Sequence, residues 1–296
     1  MINMNNKKKC IISGTSGFVG SHIKNYFLKN NWEVYELKHS VQNGKASNKY
    51  LIPYSLGDKI DSKIFDGIDV LVHCAYDFKQ TKWEDIANTN INGSINLLKA
   101  AKSAGLQKII FISSIAAFDN CKSMYGRAKL EVEKEALKIG AVIIRPGLVY
   151  SQNPGGMFSA LDKATSLLPI IPIIGNGNNV MFLVHIEDLC KLVYKFSTGE
   201  VKSSLNPIVI AHEKGKTFRN ILDILLNSKN KKALYIPIPH GLVFAMLKIL
   251  EGLGLKIRFR SDNLISMMNY DPNPKFDFEV SRNIQLREFN VQNLNS

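Results

Sequence analysis

The chain has 296 residues, 45% of them hydrophobic and 21% charged, with a formal net charge of +13. That length and balance suit one large α/β domain, or one such domain with a smaller lobe, and argue against wholesale disorder. No apolar run reaches the ~20 residues a membrane span requires, so a spanning protein is not expected.

In chain order, the first nine residues are polar and lysine-rich, and no hydrophobic signal core follows them. A cytoplasmic protein is therefore expected. The apolar run Cys10-Ile11-Ile12 ends in Ser13-Gly14, and residues 18–28 have helical spacing: strand, glycine turn, helix. Residues 33–37 predict a second short strand. Residues 69–73 (DVLVH) form a continuous apolar run, as expected of a strand buried on both faces of a parallel sheet. Helical spacing over 91–101 leads through Gly105 to another buried strand at Lys108–Ile112. A helix is predicted over 124–137 and a strand over 141–144. This alternation predicts an α/β fold, a doubly wound parallel Rossmann sheet with right-handed crossovers.

After Pro146 the rhythm changes. Residues 153–156 and 169–179 are rich in loop formers, a helical pattern returns over 187–196, and 206–211 resembles a last strand rejoining the sheet. From His212 onward the pattern predicts short helices separated by Pro237, Pro239, Pro272 and Pro274. The expected division is a dinucleotide-binding domain over 1–150, to which 180–211 returns, and a smaller, mostly helical substrate lobe over 151–296. The most apolar late segment, 242–255, is broken by Lys248, Glu251, Gly252 and Gly254. It reads as a packed helix of the fold, with an interfacial helix as the alternative.

Cys10, Cys74, Cys121 and Cys190 are scattered without a CxxC pair, so neither a metal site nor a disulfide framework is expected. Lysines cluster at Lys7, Lys8 and Lys9 and at Lys229, Lys231 and Lys232, but no basic stripe interleaved with aromatics occurs. The charge excess reads as a solvated surface, with attraction of anionic small ligands as a second reading; no nucleic-acid partner is expected.

Gly14-Thr-Ser-Gly17-Phe-Val-Gly20 follows the first strand and opens the first helix. In such a turn the first glycine permits the bend, the second lets backbone approach a pyrophosphate, and the third lets helix and strand pack closely. The pyrophosphate then meets free N–H groups at a helix N-terminus. The tip of the second strand reads Leu37-Lys38-His39, without the carboxylate that holds the adenosine ribose of NAD. Glu36 lies one pleat earlier. Lys38 favours the 2′-phosphate of NADP, against the alternative of an exposed loop lysine.

Tyr125-Gly-Arg-Ala-Lys129 places a phenol and an ammonium on one helix face. A tyrosine hydroxyl titrating near ~10 is a poor base at neutral pH, and a neighbouring ammonium favours its phenolate. Ser113-Ser114 follows the strand Lys108–Ile112, at the carboxyl edge where parallel sheets bind ligands. Ser114 there can hold a substrate oxygen as its charge develops; Ser113 reads as a structural loop cap. His73 and His185 lie in apolar runs and read as core histidines.

With these motifs in place, the sequence resembles the extended short-chain dehydrogenase/reductase superfamily, in its NAD-dependent epimerase/dehydratase branch. The match runs through SGTSGFVG at 13–20, HCA at 73–75, NINGSINLLKAA at 90–101 and FISSIAAF at 111–118. It continues through YGRAK at 125–129, RPGLVY at 145–150 and VHIEDL at 184–189. The resemblance implies a catalytic triad of Ser114, Tyr125 and Lys129. It implies cofactor binding by Gly14, Ser16, Gly17, Phe18, Val19 and Gly20, with Ala75 lining the groove and Pro146 at the turn toward the substrate lobe. Asn90 and residues 185–188 match as structural positions. The sequence departs from the family in a short loop between Ser114 and Tyr125, and in Leu148, where many nucleotide-sugar enzymes carry asparagine.

The expected function is an NAD(P)-dependent oxidoreductase acting on a nucleotide-linked sugar, as an epimerase or a 4-keto reductase, with a place in polysaccharide biosynthesis. The expected cofactor is NAD or NADP, with Lys38 inclining to NADP. Ile115 and Ala116 stand where a dehydratase would carry an acid/base pair, which disfavours dehydration. Arg258, Arg260 and Arg282 are candidate clamps for a substrate diphosphate, because guanidinium forks match phosphate oxygens, with a surface role as the default for each. A homodimer through the helices after Tyr125 is implied by the resemblance. Two alternatives stay open: a reductase of a non-sugar ketone or aldehyde, and a non-catalytic dinucleotide-binding subunit or sensor.

Overall fold

The computed structural model describes residues 7–39, 50–202, 206–255, 257 and 259–294. The chain divides into two compact units. One comprises 1–114, 128–145 and 189–208; the other comprises 115–127, 146–188 and 209–296.

In the first unit, strand β1 (Lys9–Ser13), helix α1 (Phe18–Lys29) and strand β2 (Glu33–Lys38) form the opening βαβ unit. Short β3 (Leu51–Pro53) and β4 (Val70–His73) follow. Helix α2 (Trp83–Ile86) runs through a π-helical segment, Ala87–Asn92, into α3 (Gly93–Ser103). Then come β5 (Lys108–Ile112), α4 (Met124–Lys138) and β6 (Val142–Pro146). Every residue of β4 is buried, as are four of the five in β1 and in β5. That pattern is what helices on both faces of a parallel sheet demand. Helix α1 buries Gly20, Ile23 and Phe27, one stripe of an amphipathic helix.

The remaining elements are β7 (Leu148–Tyr150), α5 (Gly156–Leu167), β8 (Ile170–Ile174), β9 (Val180–Met181) and β10 (Leu183–His185). Helix α6 (Ile186–Thr198) and β11 (Ile208–Ile210) precede β12 (Lys216–Thr217) and α7 (Phe218–Ser228). The chain then forms β13 (Leu234–Ile238), α8 (His240–Gly252), α9 (Ser261–Met268), α10 (Phe278–Ile284) and α11 (Val291–Leu294).

The main sheet has seven strands in the order β11-β6-β5-β4-β1-β2-β3. The pairings β1–β2, β1–β4, β2–β3, β4–β5 and β5–β6 are all parallel. The order reverses direction between β1 and β4, which opens a crevice beyond the carboxyl ends of those two strands. The doubly wound fold expected of the sequence is the fold observed.

The second half holds strands that the sequence pattern does not announce. Segment 169–179, expected as loop, contains β8, and the Pro237 region, expected to separate helices, contains β13. The two pair in parallel over five residues, Leu234 opposite Ile170 through Ile238 opposite Ile174. Pro172 and Pro237 are tolerated because the ribbon has only two strands, so each has an edge that needs no N–H donor.

Candidate active site

The turn after β1 is built by backbone crowding at the sheet's reversal point. Gly14 has φ +77°, and a Cβ there would lie 2.7 Å from the Ala75 nitrogen. Gly20 is tighter still: its Cβ would lie 2.3 Å from the Gly14 carbonyl oxygen. These two glycines let the β1 turn seat on the end of β4 and let α1 press on the turn. Gly17 donates to the Gly14 carbonyl at 3.0 Å and occupies the N-cap of α1. It offers no capping side chain, and the first turn of α1 carries no acid. Helix-start N–H groups left in this way fit a phosphate anion. Ser16, Phe18 and Val19 belong to this turn and helix start, and Ala75 packs against Gly14.

At the tip of β2, Lys38 Nζ lies 3.0 Å from Glu36 Oε2, and Lys24 Nζ lies 3.4 Å from Glu36 Oε1. Burial works to raise the Glu36 pKa. The Thr15 hydroxyl beside it and the two lysines outweigh that effect, and the carboxyl stays below its ordinary value. Glu36 thus holds the ammonium of Lys38 at the strand tip.

Lys129, on α4, is almost fully buried. Its Nζ donates to the Ile112 carbonyl at 2.9 Å and lies 4.7 Å from the ring centroid of Phe111 and 5.5 Å from that of Tyr76. Burial pulls its pKa down to about 8, against the opposing pull of Cys74 and Glu133. Next to it, fully buried His73 shares a 2.6 Å hydrogen bond between Nδ1 and Ser13 Oγ and stacks on Phe111. Burial, with the Lys129 charge, lowers the His73 pKa to about 3, so the ring stays neutral as a core histidine.

Sequence reasoning did not single out Glu133. It is buried one turn beyond Lys129 and accepts from Arg145 Nε at 2.9 Å and from Arg145 Nη2 and Ser113 Oγ at 2.5 Å. A buried carboxylate needs such partners. This network gives Ser113 a structural place, while Ser114, half-buried, follows it at the carboxyl end of β5.

Helix α4 carries Tyr125 in its first turn, four residues before Lys129. That turn is capped twice. Ser123 Oγ accepts from the Gly126 N–H at 3.1 Å, and Asp262 accepts from the N–H groups of Met124 and Tyr125 at 2.7 and 3.0 Å. Gly126 is required for packing, since a Cβ there would lie 2.2 Å from the Ala116 carbonyl oxygen. Pro146 accepts from the Ile115 N–H at 3.0 Å, fixing the loop after Ser114. Asn90, in the π-helical segment, accepts from the Asp77 N–H at 2.6 Å and donates to its carbonyl at 3.1 Å, pinning the loop after β4. Asp188 accepts from the Arg287 N–H at 3.0 Å and from its Nε at 3.0 Å.

Of the candidate clamps, Arg260 is the N-cap of α9, and its Nε lies 3.7 Å from Glu251 Oε1. Arg258 lies outside the described residues.

A family model described as the NAD-dependent epimerase/dehydratase family matches residues 10–210. A UDP-glucose 4-epimerase of Vibrio cholerae is 28% identical over 218 residues, covering 63% of this chain and 65% of that protein. A ceramide reductase of Caulobacter vibrioides is 25% identical over 196 residues, 62% of this chain and 59% of that protein. The chain thus spans less than two thirds of the length of both relatives. Among solved structures, a variant UDP-glucuronic acid 4-epimerase from Bacillus cereus, in complex with UDP-4-deoxy-4-fluoro-glucuronic acid and NAD, superimposes with a TM-score of 0.64. It is 22% identical and covers 78% of this chain and 86% of its own, a likeness of fold.

Proposed function

The chain belongs to the NAD-dependent epimerase/dehydratase family, and from that membership we propose that it is an oxidoreductase acting on a nucleotide-linked sugar, as an epimerase or a 4-keto reductase. The observation that carries this reading is one helix, α4, bearing Tyr125 and a buried Lys129 four residues apart in a chain whose first turn is a glycine cradle for pyrophosphate.

On this reading Gly14, Ser16, Gly17, Phe18, Val19 and Gly20 hold the dinucleotide phosphates. Ala75 and Pro146 line its groove, and Lys38 turns the preference toward the 2′-phosphate of NADP. The bound dinucleotide supplies the hydride acceptor or donor. Tyr125 exchanges a proton with the sugar hydroxyl or ketone, and Ser114 holds that oxygen as its charge changes. Lys129 tunes Tyr125 and grips the nicotinamide ribose. Arg260, with Arg258, is a candidate contact for the substrate diphosphate. The same reading places the protein in polysaccharide biosynthesis, in the cytoplasm, as a homodimer.

A second reading, a reductase of a non-sugar ketone or aldehyde, is favoured by the likeness to a ceramide reductase and by Leu148. The experiment that separates them is native mass spectrometry followed by substrate profiling. Retained dinucleotide with interconversion of UDP-sugars fits an epimerase. Empty protein that oxidises NADPH with a 4-ketosugar fits the sugar reductase, and oxidation with simple ketones alone fits the second reading. Tyr125→Phe abolishes turnover and leaves dinucleotide binding intact; turnover surviving that exchange removes the mechanism.

A further inference from the structure

Helix α8 buries Val243 and Leu247 against Leu264, with Ile174 and Ile238 packed alongside. A second stripe beside the buried one is also apolar. Leu242, Met246 and Ile249, at i, i+4 and i+7, and Leu253 at the C-cap are 64, 54, 64 and 70% exposed. An amphipathic helix ordinarily turns polar residues to water next to its buried stripe, and an apolar stretch of 10–14 residues is too short to span a bilayer. Among the described residues no helix is long and apolar enough to cross one.

The β8/β13 ribbon extends this surface. Its inner residues Ile171, Ile173 and Tyr235 pack with α7. On its outer face Ile174 and Ile238 lie under α8, while Ile170, Leu234 and Ile236 on the same face stay 46–64% exposed. Helix and ribbon therefore meet at Ile174 and Ile238, and each carries exposed apolar residues outside that contact. Apolar surface of this extent marks a contact site.

Charge says what the contact is. Segments 161–175 and 229–255 carry five lysines against two carboxylates. Both carboxylates are engaged: Asp162 pairs with Lys229 at 2.6 Å, and Glu251 accepts from the Ser261 N–H and hydroxyl at 2.7 and 2.8 Å. Lys163, Lys231, Lys232 and Lys248 of these segments are exposed; Lys231 also donates to the Ser166 carbonyl, and Lys248 lies 3.8 Å from Glu251. Exposed apolar residues on a stretch with an excess of lysines are the pattern of a helix lying in an anionic lipid interface.

We propose that α8 and the outer face of the β8/β13 ribbon form a monotopic docking surface for an anionic lipid bilayer. The surface adjoins the end of α4 that bears Tyr125: Glu251 of α8 holds Ser261, and the next residue, Asp262, holds the Tyr125 N–H. The inference goes beyond the proposed chemistry and does not depend on it.

The test is co-sedimentation of the full chain with vesicles of equal parts phosphatidylglycerol and phosphatidylethanolamine, and with vesicles of phosphatidylcholine. Binding to the anionic vesicles is expected, weaker in high salt and on phosphatidylcholine. Leu242→Gln with Ile249→Gln weakens it by roughly a hundredfold. Lys231→Gln and Lys232→Gln each weaken it on the order of fivefold, on anionic vesicles only. Ile249→Trp provides a readout independent of the glutamine variants, a blue shift of fluorescence on adding anionic vesicles. Absence of both binding and blue shift overturns the proposal. So does self-association that the Leu242/Ile249 exchange abolishes while vesicles remain unbound, for the surface then serves a second copy of the chain.

Discussion

Asp262 caps the helix that carries Tyr125, accepting from the Met124 and Tyr125 N–H groups at 2.7 and 3.0 Å across 138 and 137 residues of sequence. A carboxylate at a helix N-terminus satisfies orphan donors and complements the helix dipole. On the proposed mechanism Asp262 is a positioning residue for the phenol. Asp262→Ala is expected to lower stability by about 1 kcal/mol and to reduce kcat several-fold, with dinucleotide affinity unchanged. Asp262→Asn should recover most of both. If Asp262→Ala weakens dinucleotide binding as much as kcat, the residue supports the fold in general and has no special bearing on Tyr125.

Lys129 gives a pH signature. Its folded pKa, about 8, lies below the ordinary 10.5, chiefly because burial penalises the charge. Between those two values the unfolded chain binds the proton and the folded chain does not, so stability rises with pH through that window and falls as pH drops toward 8. Lys129→Met removes the buried charge. It is expected to stabilise the protein at neutral pH, on the order of 1–3 kcal/mol, with the advantage fading toward pH 10.5. On the proposed mechanism, loss of turnover is expected in the same variant. Denaturant melts of both proteins across that pH range measure the effect, and parallel curves would show that the ammonium carries no folding penalty.

The glycine turn and the βα rhythm were legible in the sequence because both are local signals, a spacing of glycines and a periodicity of apolar residues. Asp262 was not, since nothing near α9 announces a cap for a helix so distant in the chain. Glu133 was hidden differently. It sits in an acidic and basic stretch whose neighbours Glu131 and Glu135 form surface pairs with Lys134 and Lys138, and only Arg145 and Ser113, brought by β6 and β5, reveal it as buried. The β8/β13 ribbon was masked by Pro172 and Pro237, which read as breakers until the two-stranded pairing gives each an edge.

The glycines of the first turn should not respond alike. A methyl at Gly20 meets the Gly14 carbonyl at 2.3 Å, backbone against backbone, whereas at Gly17 the same atom lies at 3.3 Å. Gly20→Ala is expected to cost several kcal/mol of stability and to abolish dinucleotide binding. Gly17→Ala should fold within ~1 kcal/mol of the parent, yet bind dinucleotide roughly tenfold more weakly, because its methyl stands where backbone approaches phosphate. Thermal melts paired with titration calorimetry distinguish the two. A Gly17→Ala protein of undiminished affinity would move the phosphates away from this turn.

On the proposed reading, cofactor choice turns on the ion pair between Lys38 and Glu36. The ammonium is about one-third exposed and is held at 3.0 Å by a carboxylate that also faces Lys24. A 2′-phosphate arriving at the strand tip would compete with Glu36 for that charge, and its own two negative charges favour it. Lys38→Ala is therefore expected to weaken NADPH binding tenfold to a hundredfold, the worth of one charge-assisted hydrogen bond, and to leave NADH binding unchanged. Glu36→Gln, which loosens the competitor, should strengthen NADPH binding. Fluorescence titrations of both nucleotides give the ratio directly. An unaltered ratio in Lys38→Ala would leave Lys38 as a partner of Glu36 alone, and the proposed preference for NADP would lose its physical basis.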